Sequence, residues 1–293
     1  MNDQPRDKFG AVSAISNLAF ASGKLLVGFA GNSYALIADG FESIADVFSS
    51  IVVWNGLRVA DKAPDAEHPY GHGKAESIAG LVAACALVVS AIVIGVNAIQ
   101  EILHPHHAPS TFVVPALLII IAGKEALFRW LIKASLSSDS PALRIEAWHH
   151  RMDSLTSIGV LIGVCIATFA GEGYEVADDI AALLVSGLIV FNAYRLARPS
   201  LDELLDRDVS HTLSDQIEQT ASDTPGVVRL ESLQVRKSGS QHLVDVHLEV
   251  DGNLTVTEGH AIAHRLKDRL LENQDLRISH VMTHVEPSDR PRL

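Results

Sequence analysis

Two pairs of metal-ligand side chains lie within apolar stretches of this 293-residue chain. Glu42 and Asp46 form one pair, His149 and Asp153 form the other, and the members of each pair are four residues apart. Residues at this spacing share one face of a helix, so each pair can direct two donor atoms at the same ion. A charged side chain at the centre of a bilayer costs at least ~2.5–3.5 kcal/mol, so four of them need a compensating partner. The pattern therefore predicts a divalent-cation site formed by two membrane helices.

The alternative interpretation is a set of structural polar groups that bond to neighbouring helices. Matched spacing on two helices favours the metal site over that alternative. His149 is preferred to the adjacent His150 because only His149 stands four residues before Asp153. Asp39 is interpreted either as a helix-start residue or as a group that supports the ligands. The roles of three further charged residues in the windows are ambiguous: Lys24, Lys124 and Glu125. Lys124 and Glu125 lie near a cytoplasmic helix end or pair across helices.

Six windows of mostly apolar residues supply the helices that would hold these pairs. Each is close to the roughly 20 residues needed to cross a bilayer. They lie at about 12–30, 34–60, 76–100, 112–134, 143–170 and 178–197. Hydrophobic residues make up 48% of the chain, which is compatible with a membrane half joined to a soluble half. We therefore predict six transmembrane helices.

Basic residues occur on one side of these windows. Lys or Arg residues stand before the first window, between the second and third, between the fourth and fifth, and after the sixth. The connections at 31–33, 103–111 and 171–177 contain none. By the positive-inside rule, both termini are predicted to be cytoplasmic, in a protein expected in a bacterial inner membrane.

The chain changes character after Pro199. We predict a transport domain at 1–199, a charged connector at 200–208 and a cytoplasmic domain with a short tail at 209–293. In the last, periodicity indicates helices at about 209–222 and 256–273 and strands at about 228–237, 242–250 and 277–286. The order is αββαβ, and Thr255 with Glu258 has the spacing of a capping box at the second helix.

Composition argues against several functions. The formal net charge of −12 disfavours nucleic acid as a partner, because phosphate binding needs a basic surface. Cys85 and Cys165 both fall inside predicted spans and form no disulfide framework. The His-Glu-x-x-His motif of a metalloprotease does not occur in the sequence, so we expect a transporter rather than an enzyme.

Four stretches together resemble the cation diffusion facilitator family of proton-coupled exporters of divalent metals. They are Ala-Asp-Gly-Phe-Glu-Ser-Ile-Ala-Asp at 38–46, His-Pro-Tyr-Gly-His-Gly-Lys-Ala-Glu at 68–76, Gly-Lys-Glu-Ala-Leu-Phe-Arg at 123–129 and Trp-His-His-Arg-Met-Asp-Ser at 148–154. The resemblance implies a tetrahedral transport site of Glu42, Asp46, His149 and Asp153. It also implies a homodimer in the lipid bilayer, with six transmembrane helices and a cytoplasmic ferredoxin-like αββαβ domain. Parts of that domain resemble the branch that includes magnetosome iron transporters.

Glu42 departs from the usual family pattern, in which many members have His or Asp at this position. One imidazole and three carboxylates make a harder ligand set, which favours Fe²⁺, Mn²⁺ or Co²⁺ without excluding Zn²⁺. We predict Zn²⁺ or Fe²⁺ as the substrate, with Mn²⁺, Co²⁺ and Cd²⁺ as further candidates. No prosthetic group is expected. Metal ligands bind after losing protons, so the same site predicts exchange of metal for protons by alternating access.

A second cluster lies between the second and third windows. Asp65, His68 and His72 have a spacing that can surround one metal, and some relatives bind zinc at the matching positions. Turns and surface contacts are the alternative role for this loop, which is rich in Pro and Gly. Lys74 resembles a family position that pairs at the dimer interface with an acidic connector residue, here Asp206. An exposed, solvated charge is the alternative.

A third cluster belongs to the cytoplasmic domain, where some relatives bind metal between protomers. The candidate regulatory ligands at the matching positions are Glu231, Asp245, His247, His260, His284 and Glu286. Glu231 stands where those relatives have His, and simple surface exposure is the alternative for the histidines. The external residues His104, His106 and His107 are open to two readings, a metal-binding loop or a turn. A transport-inactive partner or metal-sensing scaffold is the alternative function.

Overall fold

A long helical region precedes a small domain of mixed structure. The computed structural model describes residues 4–103, 108–138, 141–171, 173–209 and 211–288. The prediction for His104, His106 and His107 therefore lies outside the described residues. Six long helices occur in the described part of the helical region: α1 (Gln4–Gly31), α2 (Tyr34–Ala60), α3 (Ala75–Leu103), α4 (Val113–Ser138), α5 (Pro141–Phe169) and α6 (Val176–Leu204). Each coincides with one predicted window, so the predicted helical membrane fold is confirmed.

The apolar character of these helices varies with the charges they carry. Among the described residues, α3, residues 147–169 of α5, and α6 are long and apolar enough to cross a membrane. The apolar part of α1 is shorter, at Ile15–Gly31. Helices α2 and α4 carry several ionisable residues each, which lowers their apolarity. Large side chains such as Leu26, Ile119 and Leu184 are each 72% exposed, as expected for surfaces that face lipid rather than water.

Small residues allow the membrane helices to pack closely. One compact unit comprises residues up to 52 and residues 82–196. A Cβ atom at Gly40 in α2 would lie 2.7 Å from a methyl group of Leu25 in α1, and one at Gly163 in α5 would lie 2.5 Å from Ala181 in α6. Helices in a bilayer associate mainly through such close packing, because the lipid tails are as apolar as the helix surfaces and the hydrophobic effect does not drive the helices together.

The end of α6 differs from the sequence prediction. The sixth window ends at about 197 and a connector was predicted at 200–208, but the helix continues through Pro199 to Leu204. Proline lacks the backbone N–H that continues the hydrogen-bond ladder. The flanking residues are nevertheless helical, so the first part of the predicted connector is a helix. The chain turns only at Asp206, which has a positive φ of 52°.

The second compact unit comprises residues 53–81 and the chain from 197 onward. Its carboxyl-terminal part contains α7 (His211–Ser222), β1 (Arg229–Ser238), β2 (Gln241–Val250), α8 (Val256–Glu272), a short 3-10 turn and β3 (Ile278–Pro287). The sheet order is β1-β2-β3, with β1 and β2 antiparallel and β2 and β3 parallel. The predicted αββαβ domain is therefore confirmed.

Alternation in β2 and periodicity in α8 explain the core of this domain. Val244, Val246 and Leu248 of β2 are fully buried, as expected for one face of a strand. The apolar stripe of α8, Ile262 with Leu266 and Leu270, is at most 4% exposed. The two faces pack on each other and on α7, so the domain has a hydrophobic core of its own.

The N-terminus of α8 provides a test of local stability. Thr255 Oγ1 accepts a hydrogen bond from the Glu258 amide, and the Glu258 carboxylate accepts one from the Thr255 amide at 2.8 Å. Thr255→Ala removes the cap and should lower the free energy of unfolding of a fragment spanning 209–288 by about 1 kcal/mol, measured by urea unfolding. Thr257→Ala, in the exposed first turn, is the matched control and should change it little. Equal losses in both variants would contradict the capping role.

Candidate metal transport site

Helices α2 and α5 bring three of the four predicted transport ligands together. One ligand atom from each of Asp46, His149 and Asp153 lies within 4.8 Å of the others. His149 Nε2 is 4.0 Å from Asp46 Oδ2 and 3.8 Å from Asp153 Oδ2. A tetrahedral ion holds its ligand atoms at about this separation, since metal–oxygen and metal–nitrogen bonds are roughly 2.0–2.2 Å. The cluster can therefore accept one divalent cation with small side-chain adjustments.

Glu42 lies one helical turn before Asp46 and outside this three-residue cluster. Its carboxylate accepts a hydrogen bond from Asn192 Nδ2 of α6 at 3.4 Å, and its side chain is buried. That contact is weak in geometry, and a glutamate side chain can change rotamer more widely than an aspartate. Glu42 as the fourth ligand thus stays a prediction. Asn192 is a neighbour of the site that sequence reasoning missed.

A buried lysine contacts the ligand cluster from α4. Lys124 Nζ donates a hydrogen bond to Asp153 Oδ2 at 2.8 Å, and Lys124 is fully buried. Of the two alternatives for Lys124, the structure thus has it pairing across helices. Its neighbour Glu125 faces elsewhere and bonds Arg129 one turn along the same helix. The transport cluster therefore contains a cationic side chain as well as its anionic ligands.

A second buried ion pair supports the ligand-bearing faces of α2 and α5. Lys24 Nζ of α1 donates to Asp39 Oδ1 at 2.6 Å and to Ser43 Oγ at 3.1 Å. Ser157 of α5 donates to the other carboxylate oxygen of Asp39 at 2.7 Å. Asp39 is five residues inside α2, so it supports neighbouring helices rather than starting one. The network ties α1, α2 and α5 together close to the predicted ligands.

The loop cluster between α2 and α3 is assembled, with Asp65 and His68 exposed and His72 mostly buried. Asp65 Oδ1 is 3.2 Å from His68 Nδ1, and Asp65 Oδ2 is 3.4 Å from His72 Nε2. The backbone amide of His68 donates to Asp65 at 2.7 Å, and this bond holds the pKa of Asp65 below its usual range. Nδ1 of His72 is buried and has no hydrogen-bond partner among the residues that the structure describes. The three side chains can surround one cation as they stand.

Lys74 and Asp206 contact each other within a single chain. Lys74 Nζ donates to Asp206 Oδ1 at 2.9 Å, and both side chains are 40% exposed. This hydrogen bond lowers the pKa of Asp206, so the carboxylate stays charged. Because the pair is exposed, its net contribution to stability is small. A role of this pair at a dimer interface stays a prediction.

The cytoplasmic domain brings together three of its six predicted ligands on β2 and β3. His247 pairs with His284 across the parallel strands, and their ring centroids are 4.8 Å apart. Glu286 Oε1 is 3.3 Å from His247 Nδ1 and 3.4 Å from His284 Nε2. The group is largely exposed and has the atoms for one metal ion.

The remaining predicted ligands of this domain lie around that group. Glu231 stands at a bulge of β1, where the pairing shifts between Leu230 and Ser232, and such bulges redirect side chains. A hydrogen bond between Glu231 and Glu286 raises the pKa of Glu231 and lowers that of Glu286. A cation held by both carboxylates would compete with the proton that such a hydrogen bond requires. Asp245 and His260 lie outside the cluster, and the His260 ring packs on His264 instead.

Sequence comparison assigns the chain. Residues 11–205 match the cation efflux transmembrane domain, and residues 209–288 match the cation efflux protein cytoplasmic domain. The chain belongs to the cation efflux family. The manganese efflux system protein MneP of Bacillus subtilis (strain 168) is 33% identical over 289 residues, covering 97% of each chain.

Other relatives also match over most of their length. The manganese efflux system protein MneS of the same organism is 31% identical over 289 residues, covering 95% of this chain and 94% of MneS. The magnetosome protein MamB of Paramagnetospirillum magneticum (strain ATCC 700264 / AMB-1) is 29% identical over 250 residues, covering 85% and 83%. As a cation efflux family member, this chain is an integral membrane transporter of metal cations, which are its substrates rather than cofactors.

The buried pair of Lys24 and Asp39 is a test of how this cation efflux protein tolerates charge. Asp39→Asn leaves the Lys24 ammonium buried without a counter-charge, which should destabilise the protein by about 3–5 kcal/mol. The expected result is a large fall in melting temperature of the detergent-purified chain. Glu125→Gln breaks the exposed pair with Arg129 and is the control, with an expected loss below about 1 kcal/mol. A melting temperature unchanged by Asp39→Asn would argue against a supporting role for the network.

Proposed function

We propose that this protein exports a divalent transition-metal cation from the cytoplasm in exchange for protons. The observation that carries the proposal is the cluster of Asp46, His149 and Asp153 on two membrane helices. Glu42, one turn away on the same helix as Asp46, is proposed as the fourth ligand, because a change of rotamer can bring its carboxylate to a bound ion. The four residues would then form one transport site.

Mn²⁺ is the substrate we propose, ahead of the Zn²⁺ and Fe²⁺ that the sequence alone favoured. Three carboxylates and one imidazole form a hard ligand set, and carboxylates suit Mn²⁺. Two relatives that match over nearly the full chain, MneP and MneS, are manganese efflux proteins. Zn²⁺ binds most N/O sites more tightly than Mn²⁺, so selectivity has to come from geometry and not from raw affinity.

Exchange with protons follows from the chemistry of the ligands. Carboxylates and imidazole bind a metal in their deprotonated forms, so a cation that enters the site releases protons. Protons that enter from the opposite side of the membrane then release the cation. Alternating access around a fixed site near the bilayer midplane provides the two sides. We propose that the protein follows this cycle. We also propose that it lies in the bacterial inner membrane with both termini in the cytoplasm.

The two exposed clusters are proposed as regulatory sites. The loop group of Asp65, His68 and His72 and the cytoplasmic group of His247, His284 and Glu286 each bring three ligand atoms together. The match to a cation efflux cytoplasmic domain supports a homodimer, in which the Lys74 and Asp206 pair would lie at the interface. We propose a transport domain at 1–199, a connector at 200–208 and a cytoplasmic domain at 209–293.

Transport by the protein alone is the direct test. Proteoliposomes that contain only this chain should take up Mn²⁺ under an imposed pH gradient, with a matching movement of protons. Asp46→Asn removes one charged ligand without breaking the pair of Lys124 and Asp153, so it should abolish both fluxes while the protein elutes as the wild type does. Arg129→Gln, on the exposed side of α4, should transport normally. Wild-type vesicles that bind Mn²⁺ without accumulating it would instead favour a metal-sensing scaffold.

The role of Glu42 in metal choice needs its own test. Uptake of Mn²⁺ in competition with Zn²⁺, Fe²⁺ and Cd²⁺ should shift toward Zn²⁺ in Glu42→His, because imidazole suits Zn²⁺ better than a carboxylate does. Glu42→Asp keeps the ligand type and shortens its reach, so it should lower the rate with a smaller change in preference. Identical preferences in all three proteins would show that Glu42 does not select the metal.

A further inference from the structure

A single carboxylate oxygen is contacted by both a lysine and a proposed metal ligand. Asp153 Oδ2 accepts the hydrogen bond of Lys124 Nζ at 2.8 Å, and the same oxygen faces His149 Nε2 at 3.8 Å. His149 Nε2 also faces Asp46 Oδ2 at 4.0 Å. A cation bound among these three atoms would lie on the oxygen that the ammonium group contacts. Lysine and metal therefore compete for one ligand atom.

The position of Lys124 is fixed by packing on both sides of α4. Toward α5, the Phe128 ring lies 5.8 Å from the Trp148 ring, and Arg151 stacks on Phe128 at 4.6 Å. Toward α1, a Cβ atom at Gly123 would lie 2.8 Å from the Phe20 ring, so the two helices are in close contact there. Lys124 is 0% exposed between them. An ammonium group buried to this degree is held by its hydrogen bond to Asp153.

The charges on the ligands make this contact important. Three ionised carboxylates, those of Glu42, Asp46 and Asp153, exceed the charge of a divalent ion by one. Lys124 supplies the missing positive charge, so the occupied site is neutral with a divalent cation. In the empty site, the same ammonium group offsets part of the repulsion among the carboxylates and holds Asp153 in place. Removing it would leave a more negative site that attracts cations more strongly and releases them less readily.

We propose that Lys124 is a positioning residue that competes with the transported metal for Asp153, and thereby keeps metal binding weak enough for release. This inference rests on the proposed transport site. The lysine acts as a tethered cation: it occupies Asp153 Oδ2 when the metal is absent and gives up that oxygen when the metal arrives. The contact between Lys124 and Asp153 thus lowers the affinity for the metal and raises the rate of its release.

Two substitutions of Lys124 should shift metal affinity in opposite directions. Lys124→Met keeps a long side chain and removes the charge, so the Kd for Mn²⁺ of the full-length purified chain should fall about tenfold by titration calorimetry. In proteoliposomes, KM and maximal rate should both fall, because release becomes slow. Lys124→Arg offers two parallel hydrogen bonds to the carboxylate, so it should raise the Kd severalfold. Arg129→Met, an exposed cation on the same helix, should match the wild type in both assays.

Each outcome distinguishes the inference from the proposed function. If Asp46→Asn still binds and transports Mn²⁺, the proposed site itself is wrong. If Asp46→Asn loses binding while Lys124→Met binds with unchanged or weaker affinity, only the inference about Lys124 is overturned. Elution and melting temperature report whether Lys124→Met folds. If it does not fold, Lys124→Arg decides, and an unchanged or lower Kd in that variant overturns the inference.

Discussion

The burial of charge within apolar helices is the constraint on which the membrane domain depends. Lys24 and Lys124 are both fully buried, and each ammonium group has a carboxylate at hydrogen-bond distance, at 2.6 Å and 2.8 Å. Breaking such a pair is costly because the remaining charge has no access to water. The two pairs differ in their neighbours. Asp39 is held further by Ser157, whereas Asp153 faces His149. The pair of Lys24 and Asp39 is suited to holding the helices together, and the pair of Lys124 and Asp153 is suited to exchanging its contact for a metal ion.

Interactions between charged side chains are weaker in the two exposed clusters than between the membrane helices. Asp65 and His68, like His247 and His284 on β2 and β3, are largely accessible to water, where charge interactions are screened. An ion bound there competes with solvent and follows the free metal concentration. On α2 and α5, the Asp46 and Asp153 side chains are 28% and 16% exposed, and Asp153 contacts a charged group from another helix, Lys124. These environments suit sensing at the exposed sites and transport at the site between the membrane helices, within the function proposed above.

Local sequence patterns predicted most of the fold, because they depend on burial. Long apolar windows predicted the six helices, and periodicity predicted the helices and strands of the cytoplasmic domain. The i and i+4 spacing also predicted that His149 and Asp153 would share a helix face. The partners of these residues were harder to predict. Asn192 and Lys124 reach the site from other helices, and such contacts depend on packing that no local pattern records. Likewise, the bulge at Glu231 depends on strand pairing, and the continuation of α6 past Pro199 overrides a local helix-breaking signal.

Gly40 has a consequence for how the sequence of α2 can vary. Glycine within a helix is less favourable than alanine by roughly 0.5–1 kcal/mol. At this position, a methyl group would meet both the side chain and the backbone nitrogen of Leu25. Leu25 follows Lys24 and Gly40 follows Asp39, so the closest approach of the two helices lies beside the 2.6 Å contact between those two charges. A larger residue at this position would have to push α1 and α2 apart next to a buried ion pair, so the helix-destabilising glycine favours the packing of the two helices.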